Sequence, residues 1–319
     1  MPLLDELLRR GLISAEQHRY FTRAAAAKPF SLNGELQAVL YAGVLLLSAG
    51  LGGLIYQNLA TIGHQAVIGL LVGVTFAGFY YAYRNQPAFS VTPVEPRTPL
   101  AAYALLLGCL SFLVLEGYLQ AQYRFFGPRH GLAAFIPAVL FLGLAYYFDH
   151  RGVLSLALTA LAAWAGVAIT PLDALTKNDF AVPSLLYTAL ALGAGLVAVG
   201  RYQSRRGIKK HFTFTYLSFG GNLLLVATLA GLFTRDDQRP LYAALLAGLV
   251  FGFIAYARRE HSFFFLLMAV LYGYAGVTYL VFRSGIADNF YVALFYLVLS
   301  CGGVIYFLLN SHKSASRES

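Results

Sequence analysis

Ten uninterrupted apolar runs dominate this chain, beginning near Glu35, Gly63, Thr98, Gly131, Gly152, Val182, Phe212, Pro240, Ser262 and Asn289. A hydrocarbon layer about 30 Å thick is crossed by about 20 helical residues, which is the length of each run. Backbone amides and carbonyls find no water at that depth, so only helices or closed barrels can span it. A barrel strand alternates lipid-facing apolar residues with a polar lumen face. These runs are apolar on every face, and the expected class is all-α, a polytopic integral membrane protein of about ten transmembrane helices. The composition agrees, with 59% hydrophobic and only 12% charged residues.

Basic residues between the runs set the expected orientation, because cytoplasmic loops retain Lys and Arg. Placing the N-terminus inside puts seventeen of the 23 in inner segments, so both termini are expected in the cytoplasm. The net charge of +9 is then a topology signal, and nucleic acid is not an expected partner. The densest cluster, RYQSRRGIKKH, brings Arg205, Arg206, Lys209 and Lys210 to the inner face. Near an anionic leaflet each such charge contributes about 1 kcal/mol, so these four are expected headgroup contacts. The expected location is the bacterial cytoplasmic (inner) membrane, with the first run as an uncleaved anchor. The lipid bilayer is the main partner, and a small-molecule ligand and a homo-oligomer are left open. Cys109 and Cys301 read as small packing residues in separate spans, without a disulfide or CxxC pattern.

Along the chain, residues 1–34 read as a cytoplasmic helical hairpin. Leu3, Leu4, Leu7 and Leu8 form a stripe, Gly11 a stop, and Ser14 with Gln17 a capping box. Spans one to four occupy 35–148, spans five and six with the basic loop 149–210, spans seven to ten 211–311, and a tail 312–319. Pro137 is expected to kink the fourth span. GVLLLSAGLGGL from Gly43 echoes GNLLLVATLAGL from Gly221, and VLEGYLQAQY from Val114 echoes VLYGYAGVTY from Val270. Spans one to four are therefore read as repeated in seven to ten.

The third span carries the most informative polar group. Glu116 is the one carboxylate inside an otherwise charge-free run, followed by Tyr118, Gln120, Gln122 and Tyr123. Counting helical rise from Thr98 sets Glu116 about 27 Å along, near the outer edge of the hydrocarbon. There it is either an interfacial residue in reach of water or part of a protein-lined vestibule, since Glu116, Gln120 and Tyr123 share one face. Asn222 in span seven and Tyr272 and Tyr274 in span nine fall near mid-depth, where their polar atoms need partners. The repeat pairs Glu116 with Tyr272, which favours a cavity lined by helices 3, 7 and 9.

The phrases LLRRGLISAEQ, YAGVLLLSAGLGGLIYQN and LGCLSFLVLEGYLQAQYRF resemble, in that order and spacing, the bacterial membrane-protein family named domain of unknown function 2157. The resemblance covers roughly residues 4–150. Gln122 and Tyr123 match the Gln and Tyr pair at the outer end of that family's third span, whereas Gln57-Asn58 stands where the family commonly has Asn-Trp. The resemblance implies a membrane architecture and brings no activity with it.

Asp149-His150 and Glu260-His261 are acidic–His pairs at inner helix ends, with His211 at the start of span seven. His150, His211 and His261 are the only metal-ligand candidates. None lies within an apolar run and no HExxH spacing occurs, so no metal or cofactor is expected. No GxSxG elbow, phosphate loop or catalytic-cysteine context is present, and the reading leans away from an enzyme. The leading expectation is a protein that binds or transports a small molecule, ion or lipid, using Glu116, Gln120, Tyr123, Asn222, Tyr272 and Tyr274. A membrane sensor or assembly protein signalling through the N-terminal hairpin is the alternative, and a metal-dependent enzyme at the inner-face histidines the third.

Overall fold

The computed structural model describes residues 14, 32–86, 90, 98–127, 131–169, 183–286 and 289–318. The N-terminal hairpin expected from the sequence therefore lies outside the described residues, apart from Ser14 and the start of the first helix. Ten α-helices lie among the described residues: α1 Leu32–Ile62, α2 His64–Arg84, α3 Pro99–Tyr123, α4 Leu132–Phe148, α5 Arg151–Ile169, α6 Pro183–Arg206, α7 Thr213–Thr234, α8 Arg239–Arg259, α9 Phe263–Arg283 and α10 Phe290–Glu318. Each starts within three residues of an apolar run read from the sequence, because that run is also the segment whose backbone must bond to itself. Among the described residues, seven helices are long and apolar enough to cross a membrane, and Ala38–Gly53, Leu132–Phe148 and Arg151–Gly166 are shorter apolar stretches. The described residues form only helices and turns, and their apolar helices are those of a multi-pass membrane protein. Helix α4 runs on through the buried Pro137.

Two compact units divide the chain, Met1–Val67 and Ile68–Ser319. The first holds α1 and the opening turn of α2, joined at Gly63 with φ +79°. Small residues recur along α1, yet a side chain at Gly43, Gly50, Gly52 or Gly53 would meet nothing within 4 Å.

In the second unit α7 is the central helix, packed against α5, α6, α8 and α9. Of its most apolar window 61% is buried, against 44% for α3 and 0% for α10. Helix α7 also joins two cores. Tyr216 packs with Leu105, Phe141, Leu154 and Leu158 of α3, α4 and α5. One residue on, Leu217 belongs with Leu225 to a second core containing Leu246, Phe253 and Phe265 of α8 and α9. Packing is therefore continuous across residues 148 and 211. The closest approach is α6 on α7, where a Cβ on Gly193 would lie 2.9 Å from the Gly220 carbonyl oxygen and one on Gly220 2.8 Å from that of Gly193. Small residues let two backbones meet in this way when both helices already sit in an apolar solvent.

Helix α10 lies on α9, held by two polar pairs one helical turn apart. The Tyr274 hydroxyl meets Ser300 Oγ at 3.1 Å, and Thr278 Oγ1 meets the Tyr296 hydroxyl at 3.2 Å. Burial does not follow the sequence repeat, since α7 is enclosed while its sequence echo α1 is exposed along most of its described length.

Candidate functional site

Three helix–helix turns of the second unit converge at one end of the bundle, and each is entered the same way. The helix ends with a left-handed residue, Asp149 (φ 56°) after α4, Gly207 (φ 70°) after α6 and His261 (φ 50°) after α8. The next amide then reaches back five residues: His150 N to Ala145 O, Ile208 N to Gln203 O, and Ser262 N to Ala257 O. This closing pattern satisfies carbonyls that the helix leaves orphaned. It also fixes where the residues just past each helix end must point.

What these turns bring together is a buried ionic cluster. Lys209, itself left-handed at φ 46°, places Nζ 2.8 Å from Asp149 Oδ1 with side chains only 2% and 3% exposed. His211 Nε2 lies 2.6 Å from the same oxygen. Ionised Asp149 is an acceptor only, so Nε2 carries the donated proton in this bond. The opposite ring atom, His211 Nδ1, is buried without a hydrogen-bond partner. A second layer lies one turn deeper, where the Tyr146 and Tyr216 hydroxyls are 3.0 Å apart and the Gln203 side-chain amide donates to Tyr146. Carboxylate, ammonium, imidazole and two phenols thus tie α4, α6 and α7 together.

His150 occupies the next position and serves a different element. Its Nδ1 accepts the backbone N–H of Val153 at 3.1 Å, capping α5, and the residue is 8% exposed. Burial pushes its imidazole down from the ordinary histidine range to about 4, partly opposed by a backbone hydrogen bond. Beside this cluster opens a cleft of about 490 Å³, lined by Arg151, Ser204, Lys210, His211 and, from the α8–α9 turn, His261 and Ser262.

The pathway residues expected from the sequence are distributed over several environments. Glu116 is 6% exposed, and neither carboxyl oxygen has a hydrogen-bond partner. Gln120, one turn along, is occupied by its own loop: Oε1 accepts the Phe126 amide at 3.0 Å and Nε2 donates to Gly127 O at 3.4 Å. Tyr123 is exposed. The shared helical face of these three residues therefore passes from packed interior to open surface within two turns, as α3 runs out to its left-handed cap at Arg124. Asn222 and Tyr272 do meet. The tyrosine hydroxyl donates to Asn222 Oδ1 at 3.0 Å, while Asn222 Nδ2 donates to Ser218 O at 2.8 Å. That supplies the interhelical partner Asn222 needs, a bond worth about 0.6–2 kcal/mol in a membrane. Tyr274 turns to α10 and is not part of this pair.

The expected role of Lys209 is corrected by the fold. It cannot be a headgroup contact, since its ammonium is enclosed and engaged with Asp149; Arg205, Arg206 and Lys210 are exposed. The helical turn at Lys210–Phe212 folds Lys209 inward, a reversal that a count of basic residues cannot register. Tyr146, Gln203 and Tyr216 carry no comparable signal of their own. In sequence they look like interface tyrosines and a loop glutamine, and only the repeated acidic–His pairs point to this end of the bundle. His150, His211 and His261 stand on three different turns, and no metal-sized group of three or more His, Cys, Asp or Glu exists among the described residues.

The model of a family described as predicted membrane protein (DUF2157) matches residues 5–154, just under half the chain, ending in the first turn of α5. No curated protein and no solved structure matches. The apolar helices agree with the phrases that carry the resemblance in the sequence, and over residues 5–154 the chain matches the predicted membrane proteins of the DUF2157 family.

Proposed function

We propose that this chain binds and moves a small molecule or ion across the bacterial inner membrane, with both termini in the cytoplasm and Glu116 as the group that exchanges a proton or cation. The observation that carries the reading is the Glu116 carboxyl, enclosed by the protein with both oxygens unpartnered. Desolvating an unpaired carboxylate is costly, so such a group is held either by a proton or by a bound cation. Exchange between those two states is the elementary step of coupled transport. The Asn222–Tyr272 pair adds polar atoms beside a groove of about 430 Å³ between α7 and α9, whose other walls include Phe264, Met268 and Leu271. Gln120 takes a structural role, closing the loop after α3.

Thiol accessibility tests the reading. Single cysteines replace Glu116, Asn222 or Tyr272 in a background lacking Cys109 and Cys301, and a membrane-impermeant maleimide is applied to either side of sealed vesicles. Labelling of positions 116 and 222 or 272 is expected, with a change in rate at 222 or 272, where Glu116 is retained, when the proton gradient is reversed. Absence of labelling at all three positions from both sides refutes a water-accessible pathway.

A further inference from the structure

The cleft formed by the α4–α5, α6–α7 and α8–α9 turns is separate from Glu116, and its chemistry is independent of any transport through the bundle. We propose that this cleft is a binding site for a phosphate-type oxyanion, held by Arg151, Lys210 and His211.

Charge selects the class of ligand. Arg151 and Lys210 line the cleft, both exposed, and neither is paired with a carboxylate among the described residues. Glu260 is the single carboxylate in the lining, so the walls are net positive before either histidine is counted. Asp149 does not reverse this, because Lys209 Nζ at 2.8 Å cancels its charge locally. The buried ion pair thus lets an aspartate orient His211 without repelling an anion.

The histidine narrows the chemistry further. More than nine-tenths of the His211 side chain is buried, Nε2 is committed to Asp149, and Nδ1 has no partner although the residue lines the cleft. Native structures rarely leave a buried polar atom in that state. A hydrogen phosphate or phosphomonoester carries both an O–H and anionic oxygens, so it complements Nδ1 whether that nitrogen accepts or donates. A halide offers no such hydrogen. Arginine supplies the forked donor that matches two phosphate oxygens, and lysine the compact charge.

Two helices reinforce the site. Helix α5 begins at Arg151 and α9 at Phe263, so both present their positive ends to the cleft. Ser262 stands at the N-cap of α9 without making a side-chain cap bond, which leaves its hydroxyl for a ligand. Exposed Arg205 and Arg206 end α6 beside this region, so the phosphate can belong to a lipid headgroup or arrive free from solution.

Two probes distinguish these sources. Full-length chain in phosphatidylcholine nanodiscs is titrated with inorganic phosphate at fixed ionic strength by calorimetry. Separately, chain extracted from vesicles of phosphatidylcholine and phosphatidic acid, a lipid phosphomonoester, is probed by native mass spectrometry for retained phosphatidic acid. Binding of phosphate identifies a soluble ligand class, retention of the lipid identifies a headgroup, and either supports the site. The Arg151→Gln/Lys210→Gln pair should weaken the observed binding at least about tenfold, as expected for lost charge-assisted bonds. The Arg258→Gln/Arg259→Gln pair, exposed at the end of α8, removes the same charge outside the lining and should change it less than about twofold. His211→Gln keeps a donor for Asp149 but removes Nδ1, and should also weaken binding. If that variant misfolds, the two charge-removing pairs still decide. Binding of neither probe by the wild-type chain overturns the proposal, as does equal loss in both pairs, which would mean diffuse attraction without a site.

Discussion

Asp149 and Lys209 offer the sharpest test of how this bundle is held. At 2.8 Å and an effective dielectric constant near 20, their gross attraction is about 6 kcal/mol. Most of this offsets the cost of enclosing both charges, so the net contribution of the pair is small. Removing one partner is another matter, because the second charge stays enclosed at 2–3% exposure. Asp149→Asn and Lys209→Met should each destabilise by about 3–5 kcal/mol. Asparagine tolerates the left-handed backbone at position 149 and still accepts from His211, so its effect isolates charge. The double variant leaves no unpaired charge and should be far milder than the sum, with a coupling energy of at least about 2 kcal/mol. Equilibrium unfolding in mixed micelles of rising SDS content measures this. Its probe is built in, because the single tryptophan, Trp164 of α5, packs on Phe135 of α4 at 5.1 Å. Single variants within about 0.5 kcal/mol of wild type, or a double variant equal to the sum, would refute the claim that these charges depend on each other.

Two further perturbations address the turns and the helix contacts. His150 is held neutral in the fold, so between pH 6.5 and about 4 the unfolded chain binds more protons than the folded one. Stability contributed by this group is complete above that window and declines as pH falls through it, by roughly 3 kcal/mol in all. His150→Asn keeps an N-cap acceptor and should flatten the decline in pH-dependent SDS unfolding; an unchanged slope would remove His150 as its source. In the α6–α7 contact, Gly220→Ala drives a methyl to 2.8 Å from the Gly193 carbonyl and should cost about 1–3 kcal/mol in the same unfolding assay. Gly195→Ala, on the facing helix α6 with nothing within 4 Å, should be neutral or slightly stabilising, and equal effects of the two would contradict the close approach.

The positions of the described helices were legible because they are properties of single segments. A run such as Pro99–Tyr123 must form its own backbone hydrogen bonds in lipid whatever surrounds it, so composition and length suffice to place it. Depth alone likewise marks Asn222 as a residue in need of a partner, since its polar atoms require a bond there. No comparable rule identifies Tyr272 as the donor, and the repeat alignment sets Tyr272 opposite Glu116 instead.

Which polar groups meet was decided only by the tertiary structure. Asp149 lies 60 or more residues from Lys209 and His211, which sit in a basic loop that reads as solvated, and no periodicity connects them. Their meeting depends on the left-handed caps after α4 and α6 and on the packing of α4, α6 and α7, which turn a headgroup-like lysine inward. Likewise α7 looks like any other span in sequence but becomes the central helix, because lipid and protein interior are equally apolar and hydropathy cannot tell them apart. Sequence by itself determined that this chain is a membrane protein and where its described helices lie. Only the fold decided which helix is enclosed, which charges are paired and which are left for a ligand, since those outcomes arise from distances between segments that no single segment encodes.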